Sequence, residues 1–225
     1  EVLFRLGYAL EQQGEFDAAA SAYGRALEAD PDHLGAVLNL GRILRVQEKH
    51  TEAVDLYTKA LEKRPDEPRL LNNLSVVYRL AGDFKNAEAV LRRLLARQPN
   101  NAEAYKNLAL VYYDQGRYRL AEVVSGNARK LDERDPGVYN NLGMILLKRD
   151  DLRSALAQFK KAVELDPSFV PGWLNQGNIA LRYRDYAAAE RAFTRAAELD
   201  PTSFSAHLYR AYALEGLKQW AEAAR

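Results

Sequence analysis

Small residues return at an interval of 34 along the whole chain, at Gly7, Gly41, Ser75, Ala109, Gly143, Gly177 and Ala211. Twelve residues behind them runs a second series, Ala19, Ala53, Ala87, Ala121, Ala155, Ala189 and Ala223. A third series, Pro31, Pro65, Pro99, Pro167 and Pro201, keeps the same step and misses once, where Glu133 stands and Pro136 follows three residues later. A chain that repeats in this way need not close around one central core. Its units bury their apolar faces against one another, and the 225 residues set how many units there are.

Counting from these anchors gives units 1–33, 34–67, 68–101, 102–135, 136–169, 170–203 and a shortened 204–225, read as one array over 1–225. Each unit carries two helical patterns. In the third, Leu70, Leu71, Leu74, Val77 and Tyr78 keep the spacing of a first helix face; in the fifth, Leu152, Ala155, Leu156, Phe159, Ala162 and Val163 mark a second. Gly14-Glu15, Gly82-Asp83 and Gly116-Arg117 fit a tight turn between the two, and the prolines close the second helix. Gly or Ala on one helix lets a neighbour approach, while Tyr23, Tyr57, Leu91, Phe159 and Phe193 fill the remaining space. The fourth unit departs from this, with Ser125-Gly126 where a bulky residue is expected, which we read as locally close packing. No strand pattern competes, so the fold class is all-α.

The pattern resembles the tetratricopeptide repeat. Tyr139, Leu142, Gly143 and Leu146, then Ala155, Phe159, Ala162 and Pro167, follow that family's order, as do Trp173, Gly177, Ala189, Phe193, Ala196 and Pro201. The resemblance covers the entire chain and implies a right-handed superhelical solenoid of antiparallel helix pairs. It also implies a concave groove lined by the first helix of each pair, through the second, fifth, sixth, ninth, twelfth and thirteenth positions of the unit.

The sixth position here reads Asn39, Asn73, Asn107, Asn141 and Asn175, flanked by Arg5 and Tyr209. An amide has both a donor and an acceptor, so evenly stepped Asn side chains match the N–H and C=O groups of an extended peptide whatever its sequence. Asn is also the family's commonest residue at this position, so inheritance of the repeat would give the same ladder. Arg42, Arg45, Arg69 and Arg79 stand at groove positions of the second and third units with no acid among those positions, beside Leu38, Val46, Val76 and Leu80. Together with Lys106 they favour an acidic or carboxylate-ended segment bearing apolar side chains. The fifth and sixth units add Asn140, Met144, Lys148 and Asn178. Phe4 and Tyr8 at one end, and Tyr209 and Tyr212 at the other, either anchor a partner or pack on further repeats. The dicarboxylate clamp of the chaperone-tail-binding members is not matched: Lys106 is followed by Leu110 rather than Asn, and Asn178 is preceded by Leu174 rather than Lys.

Chemistry of other kinds lacks its residues. There is no cysteine, and His33, His50 and His207 have no metal-ligand spacing; the last two read as packed helix residues. No phosphate-binding loop, dinucleotide fingerprint or nucleophile elbow occurs, so no catalytic residue, cofactor or metal is expected. Asp132, Glu133, Asp135, Asp150 and Asp151 fall at turns or helix starts and read as caps. Lys plus Arg is 32 against 31 for Asp plus Glu, a balance that argues against nucleic acid as partner, and no window is apolar enough to enter a membrane. Glu1 rather than Met opens the sequence and Arg225 falls inside a helical pattern, so a piece of a longer chain is expected. The reading is a non-enzymatic protein-interaction scaffold. Its alternatives are the substrate-recruiting arm of a larger enzyme, such as a glycosyltransferase, and a self-associating module of a bacterial envelope, secretion or motility complex.

Overall fold

The computed structural model describes residues 1–218. Ala223 of the alanine series, and with it the end of the last unit, lies outside the described residues. The chain divides into two compact bodies, Glu1–Gln115 and Gly116–Arg225. The N-terminal body contains α1 (Val2–Gln12), α2 (Phe16–Ala29), α3 (Leu34–Val46), α4 (His50–Lys63), α5 (Pro68–Leu80), α6 (Phe84–Arg97) and α7 (Ala102–Asp114). The C-terminal body contains α8 (Tyr118–Leu131), α9 (Pro136–Lys148), α10 (Leu152–Leu165), α11 (Val170–Arg182), α12 (Tyr186–Leu199) and α13 (Phe204–Gly216). No strand occurs among the described residues, and the fold is an all-α helical repeat.

The helix ends follow from local chemistry. Asp83, Asn101, Asp151, Asp185 and Ser203 each accept from the backbone N–H three residues on, and Asp135 accepts from Gly137 N–H at 2.7 Å. The bond from Ser154 N–H holds the Asp151 carboxyl below the ordinary carboxylate range. Pro68 and Pro136 occupy first-turn positions, where a missing N–H costs nothing. Tyr139, Trp173 and His207 stand one period apart and each donates to the carbonyl six residues earlier, of Glu133, Pro167 and Pro201, at 3.0–3.1 Å. His207 thus performs the same tethering as the aromatic residues it replaces.

First helices end in a paired-bond cap: Glu15 N–H reaches Leu10 O at 3.0 Å and Gly14 N–H reaches Glu11 O at 3.0 Å. The cap places one residue per period at positive φ. Gly14, Gly82 and Gly116 take it without steric cost; Glu48, Asp150, Arg184 and Lys218, at φ of 57–63°, occupy the equivalent turns with a Cβ present. Arg184→Gly is therefore expected to stabilise the C-terminal body by about 0.5–1 kcal/mol, the relieved strain exceeding the added chain entropy. Gly82→Ala should lose a similar amount. Thermal melts followed by circular dichroism compare the two.

Inside each body an aromatic ring lies on a glycine. A Cβ added at Gly7 would stand 2.7 Å from the Tyr23 ring, one at Gly143 2.5 Å from Phe159, and one at Gly177 2.6 Å from Phe193; Tyr57 covers Gly41 in the same way. Each ring then helps bury the following first helix. Ala19, Tyr23 and Ala26 of α2 cluster with Ala36 and Ile43 of α3, while Ala53 and Tyr57 of α4 cluster with Leu70, Leu74 and Val77 of α5. In the C-terminal body Ala155 and Phe159 meet Ile179, and Ala189 and Phe193 meet Ala213. The Ser125-Gly126 step corrects one expectation. Ser125 is buried, but nothing lies within 4 Å of a Cβ placed on Gly126, so close packing does not require that glycine.

Candidate peptide-binding face

In the N-terminal body the sixth-position amides stand on α3, α5 and α7, where the helical step sets one Asn per repeat. They are partly spent on the protein itself. Asn39 Nδ2 donates to the Tyr23 hydroxyl at 3.0 Å, and Asn73 Nδ2 to Arg69 O of its own helix at 2.8 Å. Asn107 is buried, and its Nδ2 donates to Asn72 Oδ1 at 3.3 Å. In the C-terminal body Asn175 Nδ2 donates to Asn140 Oδ1 at 2.8 Å, the same link one repeat apart. Asn141 is 9% exposed, makes no side-chain hydrogen bond among the described residues, and has neither polar atom sealed from solvent.

Every one of these bonds uses an amide N–H. The Oδ1 atoms of Asn39, Asn73, Asn107 and Asn175 accept nothing from the described residues, so the ladder presents acceptors more than donors. The partners Asn72 and Asn140 revise the sequence reading. Asn140, a groove position by sequence, and Asn72, outside those positions, both act as acceptors for the next repeat's amide. The doublets Asn72-Asn73 and Asn140-Asn141 were the available signal, since a link from one doublet to the next repeat spans 35 residues.

The basic stretch is corrected in its premise. Acids from neighbouring positions neutralise most of it. Arg42 pairs with Glu11 of α1, a carboxylate 8% exposed that also accepts from Tyr23 OH at 3.0 Å. Arg69 pairs with Glu67 at 3.0 Å, Arg79 with Asp114 at 2.5 Å and Lys106 with Glu103 at 2.7 Å. Arg45 is half-buried and makes no ion pair or hydrogen bond among the described residues. Beside it in sequence is Val46, 64% exposed, and at the same step of the next repeat is Leu80, 45% exposed. Sequence alone missed this selection because Glu11, Glu103 and Asp114 stand at groove positions of the first and fourth units, outside the second and third units compared, and Glu67 is a helix cap.

The aromatic ends divide. Phe4 packs on Tyr23 and His33, with centroids 5.7 and 4.6 Å away, and Tyr209 packs on Phe193 at 5.5 Å; Tyr8 and Tyr212 stay more than half exposed. Among the described residues no three His, Asp or Glu side chains are placed to hold a metal ion, and no helix is long and apolar enough to cross a membrane.

Family profiles described as tetratricopeptide repeat match residues 4–68, 44–111 and 78–124, 136–169, and 170–203. No curated protein matches the sequence significantly. Among solved structures, yeast Tom70 superposes with a TM-score of 0.81 at 20% identity, covering 98% of this chain and 48% of its own. A tetratricopeptide repeat protein of Parabacteroides merdae gives 0.70 at 19% identity, covering 99% of this chain and 88% of its own. A thermophilic repeat protein of Thermus thermophilus gives 0.71 at 21% identity, covering 80% and 97%. With the 34-residue helix pairs, the glycine-seated aromatic rings and the repeated profile matches, the chain belongs to the tetratricopeptide-repeat family, whose members are generally protein–protein interaction scaffolds.

Proposed function

We propose that the first-helix face of each body holds an extended segment of another polypeptide, the Oδ1 atoms of Asn39, Asn73 and Asn107 in the N-terminal body, and those of Asn141 and Asn175 in the C-terminal body, accepting from backbone N–H groups. Arg45 supports the reading most directly. A guanidinium without a counter-charge, flanked by exposed Val46 and Leu80, suits a carboxylate placed next to an apolar side chain. Arg42, Arg69, Arg79 and Lys106 support the reading less, because their own acids already occupy them and offset their charge. No catalytic step is assigned to the face; its chemistry is binding.

Selection from a library of random peptides with free C-termini tests this. Retained peptides should be enriched in Asp, Glu or a terminal carboxylate beside Leu, Val or Ile. Arg45→Ala should weaken a selected peptide roughly tenfold, the scale of one charge-assisted hydrogen bond. Arg69→Ala should change affinity less than twofold. Peptides without acids, or equal effects of the two substitutions, would discard the assignment. Asn39→Ala combined with Asn73→Ala, both in the N-terminal body with Arg45, should weaken all selected peptides alike, because amides that read backbone do not discriminate sequence.

A further inference from the structure

In the N-terminal body the second helices α2 and α4, with α3, line a cavity of about 410 Å³. Leu27, Val37, Leu56 and Ala60 form its apolar wall, and Glu28, Asp32, Lys59, Glu62 and Lys63 its rim. Gly24 makes the room: nothing lies within 4 Å of a Cβ placed there, and Thr58 stands at the same step one repeat on. The cavity lies between two repeats rather than at an end. One period before Leu56, Lys59, Ala60 and Lys63 stand Ala22, Arg25, Ala26 and Ala29, so a further repeat would meet α2 on those residues, across the helix from Gly24, Leu27 and Glu28.

The chain shows what this place lacks. Glu133 O, Pro167 O and Pro201 O are met by Tyr139, Trp173 and His207, each six residues on. At the Pro65 step the sixth residue is Leu71, which has no side-chain donor, and a guanidinium takes over: Arg93 Nη2 donates to Pro65 O at 2.8 Å and to Asp66 at 3.4 Å. At the Pro31 step the sixth residue is Val37, again without a donor, and Lys59 stands where Arg93 does. Pro31 O accepts no hydrogen bond among the described residues. Asp32, the counterpart of Asp66, is held by Lys63 at 2.9 Å, while Glu28 and Glu62 make no ion pair among the described residues. Glu28, Asp32 and Glu62 against Lys59 and Lys63 leave the rim one charge negative.

We propose that this cavity binds an alkylguanidinium group, that of an arginine side chain or of a small alkylguanidine. The stem lies on Leu27, Val37 and Leu56, and the planar head donates to Pro31 O and faces the carboxylates of Glu28 and Glu62. The ligand then makes from outside the bond that Arg93 makes from within the chain. The site belongs to the second helices and does not rest on the reading of the amide-lined face.

The probes are N-acetyl-arginine N-methylamide and butylguanidinium, with N-acetyl-citrulline N-methylamide as the uncharged isostere, each titrated into the isotope-labelled full chain and followed by NMR. The Gly24 and Asp32 amide resonances should shift saturably with both guanidinium probes and stay in place with citrulline. Tighter binding of the arginine probe assigns the ligand to a polypeptide, and tighter binding of butylguanidinium to a small molecule; either upholds the site. Gly24→Thr narrows the cavity and Lys59→Arg supplies the guanidinium from the chain itself, so each should weaken the arginine probe about tenfold, the scale of one charge-assisted hydrogen bond. Lys59 is exposed and Lys59→Arg keeps its charge, so this variant decides the matter if Gly24→Thr proves destabilised. Equal response to citrulline, binding that survives Lys59→Arg undiminished, or no saturable shift at Gly24 and Asp32 overturns the proposal.

Discussion

Replacing Phe159 with alanine is expected to destabilise the C-terminal body by roughly 3–5 kcal/mol, the range for removing a fully enclosed aromatic side chain. The ring is 0% exposed, seats on Gly143 and joins Ala155 and Ile179, so its removal opens a void at the junction of two repeats. The glycine is half of the same device. Gly143→Ala alone pushes a methyl group to 2.5 Å from the ring and should cost about 1–3 kcal/mol by overpacking. Combined as Gly143→Ala with Phe159→Leu, the two changes should cost less than their sum, with a coupling of about 0.5–3 kcal/mol. The third repeat already uses this combination in outline, with Ser75 and Leu91 at the same two steps, both 0% exposed. A double-mutant cycle from urea unfolding measures the coupling; strict additivity would mean that the ring and the glycine do not share one space.

That pairing of large against small is why the fold was readable before any coordinates. The 34-residue step, the seat at Gly41 and the ring at Tyr57 are one-dimensional statements of a three-dimensional contact, and they recur often enough to be recognised. The turns were only partly readable. Gly14, Gly82 and Gly116 announce a left-handed residue, but Glu48, Arg184 and Lys218 adopt the same conformation with no chemical sign of it. There the turn's own cap bonds, Lys49 N–H to Leu44 O and Asp185 N–H to Ala180 O, impose a geometry that the residue itself disfavours. Ser125-Gly126 shows the opposite failure: glycine suggested tight packing, yet the space beside Gly126 is open.

On the candidate face the repeating positions were plain, but what each side chain bonds to was not. Five asparagines at one step are plain in sequence, whereas the use of their N–H groups on Tyr23, Arg69 O, Asn72 and Asn140 depends on what the adjacent turn or helix brings within 3.3 Å. Charge behaved likewise. Glu11 lies 31 residues before Arg42 and Asp114 lies 35 after Arg79, separations that only stacked repeats bring into contact. Counting acids on the same helix could not find them, and Arg45 emerges as the cation of that stretch with no ion pair among the described residues only after these pairs are drawn.

Stability should fall in alkali by about 3 kcal/mol between pH 10 and 12 through Tyr57 alone, the product of a shift of about two units and about 1.4 kcal/mol per unit. The ring is 1% exposed, and burial pushes its phenol up to about 12; the Arg45 and Arg42 guanidiniums oppose that rise without cancelling it. Below pH 10 the folded and unfolded chains both keep the proton, so the contribution is fully present. Between 10 and 12 the unfolded chain releases a proton that the folded chain retains, and the balance tips toward unfolding as pH rises. Tyr57→Phe should leave stability at pH 7 nearly unchanged, because the hydroxyl makes no hydrogen bond among the described residues, and should flatten this part of the alkaline loss. Tyr23, also raised by burial, leaves a residual slope. Urea midpoints at pH 8, 10 and 11.5 distinguish the cases, and parallel losses in wild type and Tyr57→Phe would show that the hydroxyl is not sealed. The same titration reports on the proposed face, since Arg45 lowers the phenol through its charge: Arg45→Ala should move the Tyr57 transition further up, and a carboxylate bound there should act in the same direction.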